Sequence, residues 1–426
     1  MLLKNLNITL KERQTFIFHL IYSLIEGFLA GVFILNEFVF IKSLHGSNYQ
    51  LSVLFQFSVV VLIISIVTNE LMETVKNKKN LLRIIAVVTR LPLVLLFLFP
   101  SNIQQLNAHP LYNYYFLFAF FMYYLAQPII LPSLNLSLKN NYEHNNFGKL
   151  YSIATSMNKI IMLLVTFLFG LLLDYDNFAF RYIYPITGLM GMISIYLLTK
   201  INDDEIIVKT SFSIIKKVKD TFKLTMIKNI AHRDFQISLM FYGFGYMSTV
   251  TIITIFYNVA LNLNYSSVAF YKNVYNIIAI LILPYFGRLI SRIDQRRFSS
   301  ISIASLLLYI IFIMLTAFFP SHFFLFDLKI YYMLLLAVFF NSFFAATMSL
   351  SWSIGSAYFC KNEEAGIYQA VHLSLTGLRG FVFPLIGVAL YEKFGFTITY
   401  IFASVSLLIG IIILFISEKR TPLQKG

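Results

Sequence analysis

The chain has 426 residues, of which 58% are hydrophobic and only 12% charged, with a formal net charge of +14. A soluble chain of this length needs far more charge to cover its surface, so the composition excludes an ordinary soluble protein. The single cysteine, Cys360, excludes an intrachain disulfide and a cysteine metal cluster.

The polar start runs from Met1 to Arg13. The apolar run from Phe16 to about Phe40 is too long for a signal-peptide core and carries Glu26, so it reads as an uncleaved first membrane helix. Crossing the hydrocarbon layer takes about 20 apolar residues. Twelve segments qualify: 16–41, 50–71, 81–99, 112–136, 148–173, 182–199, 235–258, 268–290, 298–319, 330–357, 367–390 and 397–417. Lipid offers the backbone no hydrogen-bond partners, so each is expected to be helical. The fold class is therefore an all-α integral membrane protein with twelve transmembrane helices.

The chain also repeats itself. Tyr114-Tyr115 recurs as Tyr331-Tyr332, and Tyr151 with Gly170 recurs as Tyr368 with Gly387, both at an offset of 217 residues. The loop from Asn69 to Lys78-Lys79 recurs from Gly287 to Arg296-Arg297, at an offset of 218. This implies two pseudo-symmetric six-helix bundles, residues 1–199 and 234–426. Residues 200–233 join them as a basic linker, expected to lie as an amphipathic helix on the inner leaflet. Two similar halves rocking about a central site is the architecture of a transporter.

Lysines and arginines set the orientation. With both termini in the cytoplasm, inner segments hold 25 basic residues and outer segments 5. The positive charge thus follows from topology, and nucleic-acid binding is not expected. The location expected is a bacterial inner membrane, multi-pass, with lipid as the surrounding partner and the protein a monomer.

An ionisable side chain deep in a membrane costs about 2.5–3.5 kcal/mol on insertion scales, so it should face a cavity or a partner. Arg379 stands about 12 residues into the eleventh helix, roughly 18 Å deep at the helical rise. His372, Thr376 and Arg379 follow i, i+4, i+7 and share a face. That stripe lines a pathway with Arg379 attracting an anion, or else Arg379 is a structural arginine held by carbonyls. Lys159 lies at similar depth in the fifth helix, either facing the cavity or neutralised by Glu26. Glu26, near mid-membrane in the first helix, is a candidate proton carrier or half of a permanent ion pair. Arg90 reads as structural. Gln127 beside Pro128 in the fourth helix, Tyr246 in the glycine-rich run Tyr242 to Tyr246, and Asn341 in the tenth helix are further cavity candidates. Trp352, the only tryptophan, reads as an interfacial anchor.

Twelve spans, a six-plus-six repeat and a basic central loop resemble the major facilitator superfamily, over essentially the whole chain. The family's loop pattern G-x-L-x-D-R-x-G-R-[RK] is matched between helices 8 and 9 by Gly287, Leu289, Arg292 and Arg296-Arg297, with Ser291 at the Asp position and Asp294 at a Gly position. Between helices 2 and 3, Leu71, Glu73 and Lys78-Lys79 match, while Asn69 replaces the glycine. The resemblance implies that Glu73, Lys78, Lys79, Gly287, Arg292 and Arg296 form gating loops in which a carboxylate meets a helix N-terminus.

No phosphate-cradling, zinc-protease or nucleophile-elbow motif is present, so no catalytic residue, metal or cofactor is expected. The function implied is secondary active or facilitated transport of a small, candidate anionic molecule by alternating access, with protons a candidate coupling ion. The alternatives are a polytopic membrane enzyme and a non-transporting receptor or assembly protein on the same fold.

Overall fold

The computed structural model describes residues 8–74, 77–201, 223–360 and 365–421. The first part holds α1 (Leu10–Phe33), α2 (Asn36–Lys42), α3 (Asn48–Thr74), α4 (Lys78–Val94), α5 (Ile103–Ala108), α6 (Leu111–Leu125), α7 (Gln127–Asn141), α8 (His144–Tyr175) and α9 (Phe180–Leu198). The second holds α10 (Ile230–Ile255), α11 (Tyr265–Ile290), α12 (Gln295–Phe318), α13 (Tyr332–Ile354) and α14 (Ala365–Arg420). Between α12 and α13 lie two strands, β1 (His322–Leu325) and β2 (Leu328–Tyr331).

Helix covers most of each apolar segment read from the sequence, with Ile330 and Tyr331 falling in a strand instead. Among the described residues, nine helical stretches are long and apolar enough to cross a membrane. Local chemistry explains several boundaries. The segment 112–136 splits into α6 and α7 where Pro128, at the start of α7, removes a backbone donor. The long α14 is broken at Gly395, whose φ of 76° is readily available only to a residue without a Cβ. Thr9 and Glu12 form a reciprocal capping box at the start of α1. Glu12 also accepts from the backbone of Glu143 at 3.0 Å and from Asn146 at 3.1 Å, which ties α1 to the start of α8. Most of the expected linker, residues 202–222, lies outside the described residues.

The chain divides into two compact units: residues 1–46 with 64–210, and residues 47–63 with 211–426. In the first, α1 packs on α8 and α4 on α9; in the second, α10 packs on α14 and α12 on α13. The 217-residue offset carries α1 onto α10 and α8 onto the first half of α14, so the packing of α1 on α8 recurs in the second unit as the packing of α10 on the first half of α14. Both rest on glycine. A Cβ on Gly27 would stand 2.5 Å from the Asn158 carbonyl oxygen, and one on Gly387 2.0 Å from that of Ser248. Without a hydrophobic force between helices in lipid, such close backbone contact is what holds them together.

The all-α expectation meets one exception. β1 and β2 pair antiparallel in register His322 to Tyr331 and Leu325 to Leu328. The hairpin is fastened by the Tyr331 amide on the Tyr271 hydroxyl at 2.8 Å, Lys329 Nζ on the Leu261 carbonyl at 2.9 Å, and Asn264 on the Asp327 carbonyl at 2.9 Å. Phe324 and Phe326 at its tip are exposed.

Arg296, expected in a gating loop, is fully buried and clamps the end of α14. Its guanidinium pairs with Asp294 at 2.8 Å and donates to the Ser417 carbonyl at 2.7 Å, the Thr421 hydroxyl at 2.9 Å and the Thr421 carbonyl at 2.7 Å. Asp294 also caps α12 by accepting from the Arg296 amide at 2.8 Å. Burial raises the Asp294 carboxyl, but the Arg296 hydrogen bonds and charge outweigh it and hold the group below its usual value. Its stabilisation is therefore complete above the ordinary carboxylate range and is lost as pH falls through that depressed value. Arg296→Ala should destabilise the second unit by about 3 kcal/mol, since it strands a carboxylate and two carbonyls. Thermal unfolding in detergent at neutral pH measures this, and an unchanged midpoint would contradict the clamp.

Candidate functional site

Four of the expected residues, Tyr246, Asn341, Thr376 and Arg379, line one cavity of about 520 Å³ within the second unit. Its other walls include Tyr242, Phe344 and Trp352. Tyr242 and Tyr246 stack with ring centroids 5.9 Å apart, and Phe344 closes against Tyr246 at 5.3 Å. The wall is thus a rigid aromatic surface with a few polar points. None of the described lining residues is acidic.

Arg379 is held at both ends of its reach. Its stem crosses α10 at Gly243, where a Cβ would come within 2.2 Å of Arg379 Cδ. One terminal nitrogen donates to the Leu239 carbonyl and the other to the Thr376 hydroxyl oxygen. Thr376 in turn donates to the His372 carbonyl at 2.8 Å. These contacts fix the guanidinium while neutralising none of its charge. The sequence alternatives for Arg379 therefore merge: carbonyl and hydroxyl oxygens hold it, and it still lines the cavity.

His372 is buried one turn before Thr376, with its ring edge-on to Trp352 at 6.3 Å. Its Nδ1 meets the Gln236 carbonyl oxygen at 3.3 Å. The Gln236 amide nitrogen reaches Nε2 of His232 at 3.0 Å, and Nδ1 of His232 reaches the Thr225 carbonyl at 3.1 Å. Sequence reasoning missed Gln236 and His232. They lie one turn apart in the first two turns of α10, beside Arg233 and Asp234, where polar residues read as a helix end. Trp352, read as an anchor, is partly buried and lines the cavity.

The first unit carries a separate cluster. Ser194 donates to Glu26 at 2.6 Å, and the cation whose charge acts on Glu26 is Arg90. Arg90 is fully buried, donates to the Tyr123 carbonyl at 3.0 Å and covers the Tyr123 ring at 4.1 Å. The side chain of Gln127 interacts with Tyr123. Glu26 and Gln127 thus share one polar cluster, built around an arginine that the sequence assigned to structure alone. Lys159, read as either facing the cavity or neutralised by Glu26, stands at an exposed position of α8, where its Nζ lies 3.9 Å from Met162 Sδ.

Of the loop residues, Gly287 and Arg292 are exposed at the end of α11, and Lys78 and Lys79 begin α4. Glu73 falls in the last turn of α3, and its side chain lies outside the described residues. Among the described residues no group of His, Cys, Asp and Glu could hold a metal ion.

A family model described as Major Facilitator Superfamily matches residues 15–328. No curated protein matches the chain by sequence. Among solved structures, a mutant of the nucleoside transporter NupG superposes with a TM-score of 0.69 at 11% identity, covering 95% of this chain and 99% of that one. A mutant of the peptide transporter POT gives 0.67 at 11% identity, covering 95% and 94%. A D-xylose-proton symporter gives 0.60 at 15% identity, covering 97% and 98%. At these identities the likeness concerns the fold.

Proposed function

The chain belongs to the major facilitator superfamily, and on that premise we propose that the small molecule it carries is an anion bound against Arg379. As a member it is a secondary transporter, active or facilitated, that works by alternating access. In the proposed topology it is a monomer with twelve crossings arranged as two six-helix bundles, 1–199 and 234–426. The basic linker between them and both termini lie on the cytoplasmic side, in keeping with the 25-to-5 distribution of basic residues.

One observation carries the anionic reading. Arg379 is 2% exposed and lines a cavity in which no described wall residue is acidic. A guanidinium buried with only oxygen dipoles for company is incompletely compensated, and a carboxylate or phosphate supplies the missing charge in bidentate geometry. Tyr242, Tyr246, Phe344 and Trp352 favour a cargo with a flat or apolar body. Uptake of labelled carboxylates and phosphates into vesicles holding the purified protein tests this. Competition by anions but not by neutral or cationic analogues is expected, and the reverse order would overturn the reading.

The proton is the proposed coupling ion, with Glu26 its carrier in the first unit. The xylose relative is described as a proton symporter. Glu26 is a partly buried carboxylate whose charge balance involves the guanidinium of Arg90. Glu26→Gln should remove the stimulation of uptake by an imposed proton gradient. Stimulation equal to that of the wild type would leave Glu26 as half of a permanent pair with Arg90.

A further inference from the structure

The buried chain from Thr225 to His372 has a direction that elementary hydrogen-bond rules determine. The Thr225 carbonyl can only accept, so Nδ1 of His232 carries a hydrogen. Nε2 of a neutral His232 is then an acceptor, and the facing group of Gln236 must be its amide nitrogen. That places the Gln236 carbonyl oxygen toward His372, where it too can only accept. Nδ1 of His372 therefore carries the hydrogen, and Nε2 keeps a bare lone pair. Flipping Gln236 would require a doubly protonated His232, a buried charge with no carboxylate beside it in this chain of contacts. Every link thus points the same way, and the chain ends on one unused acceptor. Nε2 of His372 is buried and has no hydrogen-bond partner among the described residues.

We propose that Nε2 of His372 is a proton-binding site, and that the proton it takes raises the affinity of the adjoining cavity for an anion. The second half rests on the reading of that cavity given above. The step is simple: a proton from water adds to the lone pair, one N–H bond forms, and the imidazole becomes an imidazolium. The hydrogen on Nδ1 stays there, donated to the Gln236 carbonyl oxygen, so nothing else in the chain need change. Gln236 and His232 act as positioning residues, fixing which nitrogen is free.

The coupling follows from placement. His372, Thr376 and Arg379 share one face of α14, and Thr376 bonds to both its neighbours. The charged or titratable groups acting on His372 are Arg379 on its own helix and His232 on α10. Its neighbour from α13 is Trp352, which does not titrate. With the cavity empty, a charged His372 adds to the positive field of Arg379 and the two repel. An anion at Arg379 relieves that repulsion, so by linkage the anion favours the proton and the proton favours the anion.

Trp352, the only tryptophan in the chain, is a built-in reporter because its ring lies against His372 and an imidazolium quenches indole emission. Full-length protein in lipid nanodiscs is titrated from alkaline to acid while Trp352 emission is followed. A single-proton quench is expected in the wild type and its loss in His372→Gln. Adding benzoate as the anionic probe should raise the quench midpoint by about one pH unit, a tenfold coupling. A quench that survives His372→Gln overturns the proton site, and a midpoint indifferent to benzoate overturns the coupling. The quench needs neither cargo nor transport, so its failure is distinct from failure of the anion reading. Should His372→Gln not fold, nitrogen NMR of histidine-labelled wild type decides the matter. At alkaline pH, Nδ1–H tautomers at His372 and His232 support the proposal, and Nε2–H tautomers overturn it.

Discussion

Arg379→Ala should lower cargo affinity by about 3 kcal/mol, roughly a hundredfold, while the protein still inserts and folds. The loss is one charge-assisted contact to the cargo, which at its strongest is worth about that much. The fold should tolerate the change because the oxygens left behind have other partners or roles. Thr376 keeps its bond to the His372 carbonyl, and Leu239 remains inside α10. Uptake in reconstituted vesicles, normalised to inserted protein, measures the effect, and uptake equal to wild type would remove the site. A second variant approaches the same point from the opposite helix. Gly243→Ala adds a methyl 2.2 Å from Arg379 Cδ, so the arginine stem must swing aside. It should reproduce much of the Arg379→Ala defect without touching the charge. Gly410→Ala is the matched control, since its Cβ would come no closer than 3.2 Å to the Ser238 carbonyl oxygen.

What was legible in the sequence follows the range of each force. The helices were legible because lipid forces every apolar run of sufficient length into the same hydrogen-bonded form. Arg379 and Thr376 were legible because helical spacing alone puts them on one face, and Tyr246 and Asn341 because polar groups in apolar spans need a reason. Partners were not legible, since pairing across helices depends on rotation and depth that no local pattern encodes. Glu26 was offered as one alternative partner of Lys159, yet Arg90 from α4 is the cation that acts on it. Arg296 and Arg297 look equivalent in sequence, but one residue is 100° of helix, and that turn sends Arg296 inward to Ser417 and Arg297 outward to Glu418 at 2.8 Å. The hairpin was hidden because its strands, His322–Leu325 and Leu328–Tyr331, are short apolar runs between longer ones. The His372 chain was hidden for a related reason: Gln236 near a helix start reads as a polar end until α14 is packed against it.

Gly387→Ala should be the most damaging single methyl in the second unit. The added carbon would stand 2.0 Å from the Ser248 carbonyl oxygen and 2.7 Å from both the carbonyl carbon and Cα of that residue. Carbon–oxygen contacts settle at about 3.3 Å, so α10 and α14 would have to part by about 1 Å. All three atoms are backbone, and no side-chain rotation can make room. A shift of that size forfeits dispersion along the whole crossing. The expected cost is about 3 kcal/mol, the upper end of ordinary overpacking, read as a lower thermal midpoint in detergent. Gly410→Ala, beyond the break at Gly395 but also packed on α10, supplies the comparison, because its Cβ would come only within 3.2 Å of the Ser238 carbonyl oxygen. That variant should cost well under about 1 kcal/mol, since a shift of a few tenths of an ångström suffices. Gly27→Ala, at 2.5 Å from the Asn158 carbonyl oxygen, tests the equivalent crossing of the first unit and should fall between the two. If the three variants instead lost equal stability, backbone proximity would not be what sets the cost of a methyl at these crossings.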